Sequence, residues 1–175
     1  MAELKFIFTG SPGAGKTTAI AAISEIPPIS TDVLATDELA DVKNETTAAM
    51  DFGEFTLDDG QKVRLYGTPG QQRFEHMWRI LAEGALGFVI LVDNTRPAPL
   101  DDLAIYLDNF ADFIDETAVV IGVTRTDIAT RHSMVHFQDF VEQRGLVCPV
   151  FPADVRDKDD VLLLLDALMA SLEYA

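Results

Sequence analysis

The sequence predicts an α/β fold: an open, mostly parallel six-stranded sheet with one antiparallel edge strand and helices on both faces. Three observations predict it. Strand-like and helix-like segments alternate along the chain, the order that a parallel sheet requires. The runs Phe88–Val92 and Ala118–Val123 are continuously apolar, as expected of strands covered on both sides. The first strand-to-helix turn, Gly10-Ser11-Pro12-Gly13-Ala14-Gly15-Lys16-Thr17, has the spacing G-x-x-x-x-G-K-T of a phosphate-binding loop.

Each element follows from local chemistry. Leu4–Thr9 reads as the strand entering the loop, and Thr18–Ile23 as the helix leaving it, with Ile20 and Ile23 one turn apart. A polar stretch from Pro27 to Thr47 opens with Pro27-Pro28, which cannot continue a helix. A loop that long in a compact domain is usually functional or mobile. Met50–Leu57 and Gln61–Tyr66 flank Asp58-Asp59-Gly60, a hairpin signal that supplies the antiparallel edge. Phe88–Val92, Ala118–Val123 and Val147–Phe151 are the remaining strands, with helices at about Leu100–Phe113, Ser133–Arg144 and Asp159–Glu173. The last helix carries Leu162 to Leu165, Leu168 and Leu172. Core packing explains that pattern, with a docking surface at Leu162, Leu163 or Met169 as the alternative.

Composition narrows the function. The 175 residues suit one domain over 1–175, and a hydrophobic content of 48% argues against disorder. A formal charge of −16 would repel nucleic acid and anionic lipid. It does not exclude a nucleotide, which a phosphate loop binds through local N–H groups and one lysine. The single cysteine, Cys148, reads as a small buried apolar residue, and no spacing nominates His76, His132 or His136 as its partner in thiol chemistry. Met1-Ala2-Glu3-Leu4-Lys5 is not a signal peptide, Ala2 excludes myristoylation, and the last residues carry no prenylation cysteine. The expectation is a cytoplasmic protein with no direct membrane anchor.

The phosphate loop specifies chemistry. Gly10, Gly13 and Gly15, with Ser11, Pro12 and Ala14 between them, let backbone N–H groups turn inward around phosphate oxygens. Lys16 would reach the β- and γ-phosphates, and the Thr17 hydroxyl would hold Mg²⁺. Thr18 continues the helix whose positive end faces the same anion. After the hairpin comes Gly67-Thr68-Pro69-Gly70-Gln71-Gln72-Arg73-Phe74. There Gly70 can offer its N–H to a terminal phosphate, and Gln71 can orient an attacking water. Asp127, in Thr124-Arg125-Thr126-Asp127, can accept hydrogen bonds from the guanine N1–H and amino group, while the Arg125 stem covers the base. Backbone N–H groups in Phe151-Pro152-Ala153-Asp154 are candidates for the guanine O6.

These segments in this order resemble the Ras-like small GTPases over essentially the whole chain. The resemblance implies a P-loop NTPase fold and one G domain over 1–175. Thr46-Thr47-Ala48-Ala49-Met50-Asp51-Phe52 looks like the first switch, which nominates Thr47, with Thr46 as fallback, for binding Mg²⁺ and sensing the γ-phosphate. Residues Gly67–Phe74 look like the second switch, whose usual form is D-T-A-G-Q-E-R-F. Thr124–Asp127 stands where the family has N-K-x-D, and Ala153 lies where it has a Ser-Ala loop. Gly67 replaces the aspartate that helps hold Mg²⁺, so the expectation is either weaker metal binding or another carboxylate, such as Asp93 or Asp51, in its place. Pro12 has no N–H to give. These departures, together with a first-switch segment longer than in eukaryotic Ras-like proteins, look like the bacterial and archaeal MglA-like group, whose wider membership is often found with roadblock-type partners. The implied function is a switch cycling between GTP and GDP with Mg²⁺, hydrolysing slowly through Lys16 and Gln71, and acting through effector and activator proteins. No arginine lies just before Thr47, so Arg73, Arg79 or a partner would supply an arginine finger. The rivals are a nucleotide-locked scaffold without useful hydrolysis and a small P-loop ATPase.

Overall fold

Among the described residues the apolar runs form the centre of a seven-stranded sheet. The computed structural model describes residues 4–27, 29–34, 47–70, 75–128 and 132–173, and gives the backbone alone for 29–34, 47–50 and 173. Strand β1 (Leu4–Gly10) lies between β4 (Lys62–Gly67) and β5 (Gly87–Asp93), parallel to both. Beyond β5 come β6 (Ala118–Thr124) and β7 (Val150–Pro152), also parallel. On the other side β3 (Thr47–Thr56) pairs antiparallel with β4, and β2 (Ile29–Leu34) antiparallel with β3. The helices are α1 (Lys16–Ile23), α2 (Glu75–Ala82), α3 (Pro99–Asn109), α4 (Ala111–Ile114), α5 (Met134–Gln143) and α6 (Lys158–Glu173).

The period of two along each strand divides the core between the two sheet faces. Phe6, Phe8, Val89, Leu91 and Val120 join Ile20, Ile23, Leu164 and Leu168 in one cluster. Ile7, Phe88, Ile90, Val119 and Ile121 join Trp78, Leu103, Phe110 and Phe137 in the other. Side chains such as Phe6, Phe8, Phe88 and Phe137 are essentially without solvent contact, each burial stabilising the fold by about 2–3 kcal/mol. Leu162 and Met169 pack against the first cluster and Leu163 is exposed, so core packing accounts for most of the apolar surface of α6. Cys148 is buried, and burial pushes its thiol up to about 11, the behaviour of an inert packing residue.

The mostly parallel sheet with helices on both faces agrees with the sequence expectation, and among the described residues one strand, β2, is added to the six expected. The added strand, β2, lies inside the polar stretch expected to be a loop. The outer edge of β3 offers unpaired backbone groups, and Ile29, Thr31 and Val33 suit an extended conformation. Residues 35–46 of that stretch lie outside the described residues. The helix expected over Leu100–Phe113 is two helices. At Phe110 the backbone leaves helical geometry (φ −103°, ψ 11°) while its ring packs against Trp78 and Phe88. Helix α2 is absent from the sequence expectation. Its buried residues Trp78 and Ala82 stand at the i, i+4 spacing of a core-facing stripe. Ser133 caps α5, accepting from His136 N while His136 Nδ1 accepts from Ser133 N, which gives this histidine a structural role.

Candidate nucleotide-binding site

Strand β1 delivers its carboxyl end to the middle of the sheet, where the chain order reverses between β4 and β5. Open α/β sheets bind ligands at such a point. The loop after β1 fits only with glycine at two places. At Gly10 (φ 148°) a Cβ would lie 2.3 Å from the Leu91 carbonyl oxygen. At Gly15 (φ 108°) it would lie 2.7 Å from Val155 Cγ2. Gly15 is the N-cap of α1. Among the described residues no side chain caps that helix and no acid occupies its first turn, an arrangement that suits an anion at its positive dipole end. The Ser11 hydroxyl oxygen is buried, with no hydrogen-bond partner among the described residues.

Lys16 is buried beneath this loop and donates to the Gly10 carbonyl at 2.6 Å and the Ser11 carbonyl at 2.9 Å. Burial lowers its pKa to about 8; the Asp51 carboxylate opposes that shift and the Arg96 guanidinium adds to it. The Lys16 stem is thus already ordered, at the cost of a weakened hold on its proton.

Position 67 carries no carboxylate, but the neighbouring strand places one beside it. In the β3–β4 register Asp51 stands directly opposite Gly67. A Cβ on Gly67 would lie 3.2 Å from Asp51 Cβ and 3.4 Å from its Oδ2, so the Asp51 side chain fills the space beside that glycine. Thr17 Oγ1 donates to Asp51 Oδ2 at 2.5 Å. A hydroxyl and a carboxylate oxygen side by side, next to a phosphate loop, suit Mg²⁺, which takes few protein oxygens and completes its shell with phosphate and water. Asp93 is held elsewhere. Its Oδ2 accepts from Arg125 at 2.6 Å, and its Oδ1 accepts from Thr95 N at 2.9 Å and Thr95 Oγ1 at 2.6 Å. Of the two carboxylates expected as substitutes, Asp51 stands beside Thr17, while Asp93 is engaged by Arg125 and Thr95.

A cleft of about 610 Å³ opens beside the loop, lined by Ala14, Gly15 and Thr18, by Thr124, Arg125 and Asp127, and by Ala153 and Arg156. Thr124 is buried and donates to Ala14 O at 3.4 Å and Val92 O at 3.3 Å. Arg125 has a left-handed backbone (φ 56°) and donates to Gly13 O at 2.7 Å as well as to Asp93. These two residues tie the β6 end to the phosphate loop and leave Asp127 at the cleft wall. In the segment expected to meet the guanine O6, Ala153 N donates to Val123 O at 2.9 Å and Asp154 N to Asp160 Oδ2 at 2.8 Å, so these two N–H groups have partners within the protein. Arg156, which sequence reasoning did not nominate, pairs with Asp154 on the same wall, and its charge reaches Asp127. The isolated arginine, two residues beyond an aspartate, has no motif to announce it.

The second-switch segment meets the loop at Gly70. A Cβ there would lie 2.7 Å from Pro12 N and 2.9 Å from Lys16 Nζ. Gln71 and Arg73 lie outside the described residues, as does Thr46. Thr47 is not brought to Thr17: it opens β3 opposite Leu34, four residues from Asp51, roughly 14 Å along an extended strand. Arg79, one of the two arginines offered as a finger, is paired with Asp112 at 3.2 Å and donates to Asn109 O at 2.9 Å on the surface. Arg96, paired with Asp102 at 2.6 Å, is the described arginine whose charge is felt by Lys16.

An uncharacterized protein of Methanocaldococcus jannaschii is 29% identical over 57% of this chain and 57% of its own length. A Ras-related protein of Arabidopsis thaliana is 22% identical over 81% of this chain and 63% of its own. The Ras-related protein RabC of Dictyostelium discoideum is 21% identical over 97% and 83%. The chain thus spans about three fifths of the length of the first two relatives. A likeness to Ras-related GTPases therefore stands at a coarse level, with a nucleotide-binding P-loop fold. The family described as "conserved hypothetical ATP binding protein" matches residues 8–149, from the strand before the phosphate loop to the approach to β7, and the chain belongs to that family.

Proposed function

We propose that this chain is a GTP-binding switch, one G domain over 1–175, that hydrolyses GTP slowly and signals through its two nucleotide-facing segments. The observation that carries the reading is the convergence at one sheet end of the phosphate loop, the Thr17–Asp51 pair and a cleft walled by Asp127. Lys16 and the loop N–H groups hold the phosphates. Thr17 and Asp51 would hold Mg²⁺, whose chemistry there is neutralisation of phosphate charge. Gln71 orients water for in-line attack, and Gly70 N–H meets the terminal phosphate. For Thr47 to join Thr17, the start of β3 must leave its pairing with Leu34, which makes that strand end the moving part of the first switch. The finer likeness to the MglA-like group, and partners of roadblock type, belong to this reading, as does a cytoplasmic location.

A second reading, adenine-nucleotide binding, is favoured by the description of the family. A carboxylate facing adenine meets no donor where guanine has two, which weighs against it at about 1–3 kcal/mol or more. Turnover is tested by single-turnover hydrolysis of prebound GTP, with and without cell extract. Slow phosphate release that extract accelerates is expected, and Gln71→Leu should slow release without weakening binding. No release under either condition leaves a nucleotide-locked scaffold; an unaltered Gln71→Leu rate removes Gln71 from the mechanism.

A further inference from the structure

Two buried aromatic side chains grip the segment that carries Gly70. Trp78 Nε1, from α2, donates to the Pro69 carbonyl at 2.5 Å. Tyr106 Oη, from α3, donates to the Gly70 carbonyl at 3.1 Å. The two rings stack, with centroids 4.8 Å apart, and Phe110 stacks on Trp78 at 6.0 Å. Trp78 is wholly buried and Tyr106 nearly so, which fixes both donors in place. Burial also pushes the Tyr106 hydroxyl up, keeping it protonated as a donor.

The consequence lies in the peptide planes. The Pro69 carbonyl and the Gly70 N–H belong to one trans unit, so they point in opposite directions. Holding that carbonyl toward the indole, inside the buried cluster, points the Gly70 N–H out of the cluster. The Tyr106 bond fixes the following plane. Gly70 itself stands against Pro12 and Lys16, and Pro12 has no N–H of its own to give. We propose that Trp78 and Tyr106 are positioning residues for terminal-phosphate recognition: they preset the two planes around Gly70 so that its N–H is aimed before a nucleotide arrives. Neither residue touches the nucleotide. The pair therefore distinguishes a triphosphate from a diphosphate, because only the former reaches Gly70.

This rests on the switch reading, and the test separates the two. Affinities for GDP and for a non-hydrolysable GTP analogue are measured with magnesium on the wild type, Tyr106→Phe and Trp78→Phe. Tyr106→Phe keeps the stacked ring and removes only the hydroxyl. It should weaken the analogue roughly five- to tenfold and leave GDP unchanged, the effect of one lost hydrogen bond on a preset donor. Trp78→Phe should lower the analogue-to-GDP affinity ratio in the same direction. GDP affinity is the internal control, since misfolding would reduce both. Emission from Trp78, the single tryptophan, reports the packing of the Tyr106 variant. A ratio that stays fixed or rises in Tyr106→Phe overturns the positioning role alone. A wild type that binds neither nucleotide overturns the switch reading, and this inference with it.

Discussion

Lys16→Ala is expected to lower magnesium-nucleotide affinity by about 10²–10⁴-fold, because the ammonium supplies charge-assisted hydrogen bonds of about 1.5–3 kcal/mol each to phosphate oxygens. The wild type should show the same group through pH. In the free protein Lys16 titrates at about 8, lowered by burial, and phosphate binding favours the ammonium. Above pH 8 the protein must take up a proton to bind, so affinity should fall by up to tenfold per pH unit. Folding has the opposite slope. Between the folded value of about 8 and the ordinary value of 10.5 the unfolded chain holds more protons, so the stability of the free protein rises with pH across that window. Calorimetric titration and thermal melts between pH 7 and 9 read both slopes. Lys16→Ala should abolish both, and unchanged affinity in that variant would remove the lysine from the site.

The second large effect concerns Asp51. Asp51→Ala should weaken magnesium-nucleotide binding by about 10–100-fold and flatten its dependence on magnesium concentration, while nucleotide binding without magnesium changes little. The register offers a sharper version. Position 67 faces position 51 across the β3–β4 pair, with the Cβ positions 3.2 Å apart. Asp51→Gly combined with Gly67→Asp returns a carboxylate to nearly the same place from the other strand. The double variant should recover most of the magnesium dependence that Asp51→Gly loses, with Ile20 Cδ1, 3.2 Å from the new Cβ, yielding slightly. If Asp51→Ala left magnesium dependence intact, Asp51 would be only a strand residue bonded to Thr17.

What the sequence disclosed about this molecule has a physical pattern. The phosphate loop was legible because its residue types encode backbone geometry: Gly10 and Gly15 sit where φ is positive and a Cβ would collide. Strands β5 and β6 were legible because burial on both faces leaves continuous apolar runs. Asp51 could be shortlisted but not chosen over Asp93, since the choice depends on a non-local register and on Arg125 reaching across from β6 to hold Asp93. Strand β2 was hidden because its pairing comes from the edge of β3 rather than from its own apolar content. The break at Phe110 was hidden because tertiary packing of one ring overrides a helical pattern. The Trp78 and Tyr106 anchors left no mark, because their acceptors are carbonyl oxygens, which every residue carries.

The measurement that bears most directly on the account is calorimetric titration of the purified chain with GTP and with ATP, both with magnesium. A phosphate loop that grips the tail and an Asp127 that pairs with two guanine donors predict GTP at least about 100-fold tighter than ATP, with that preference lost in Asp127→Asn. Equal affinity for the two nucleotides, or no heat of binding with either, would contradict it.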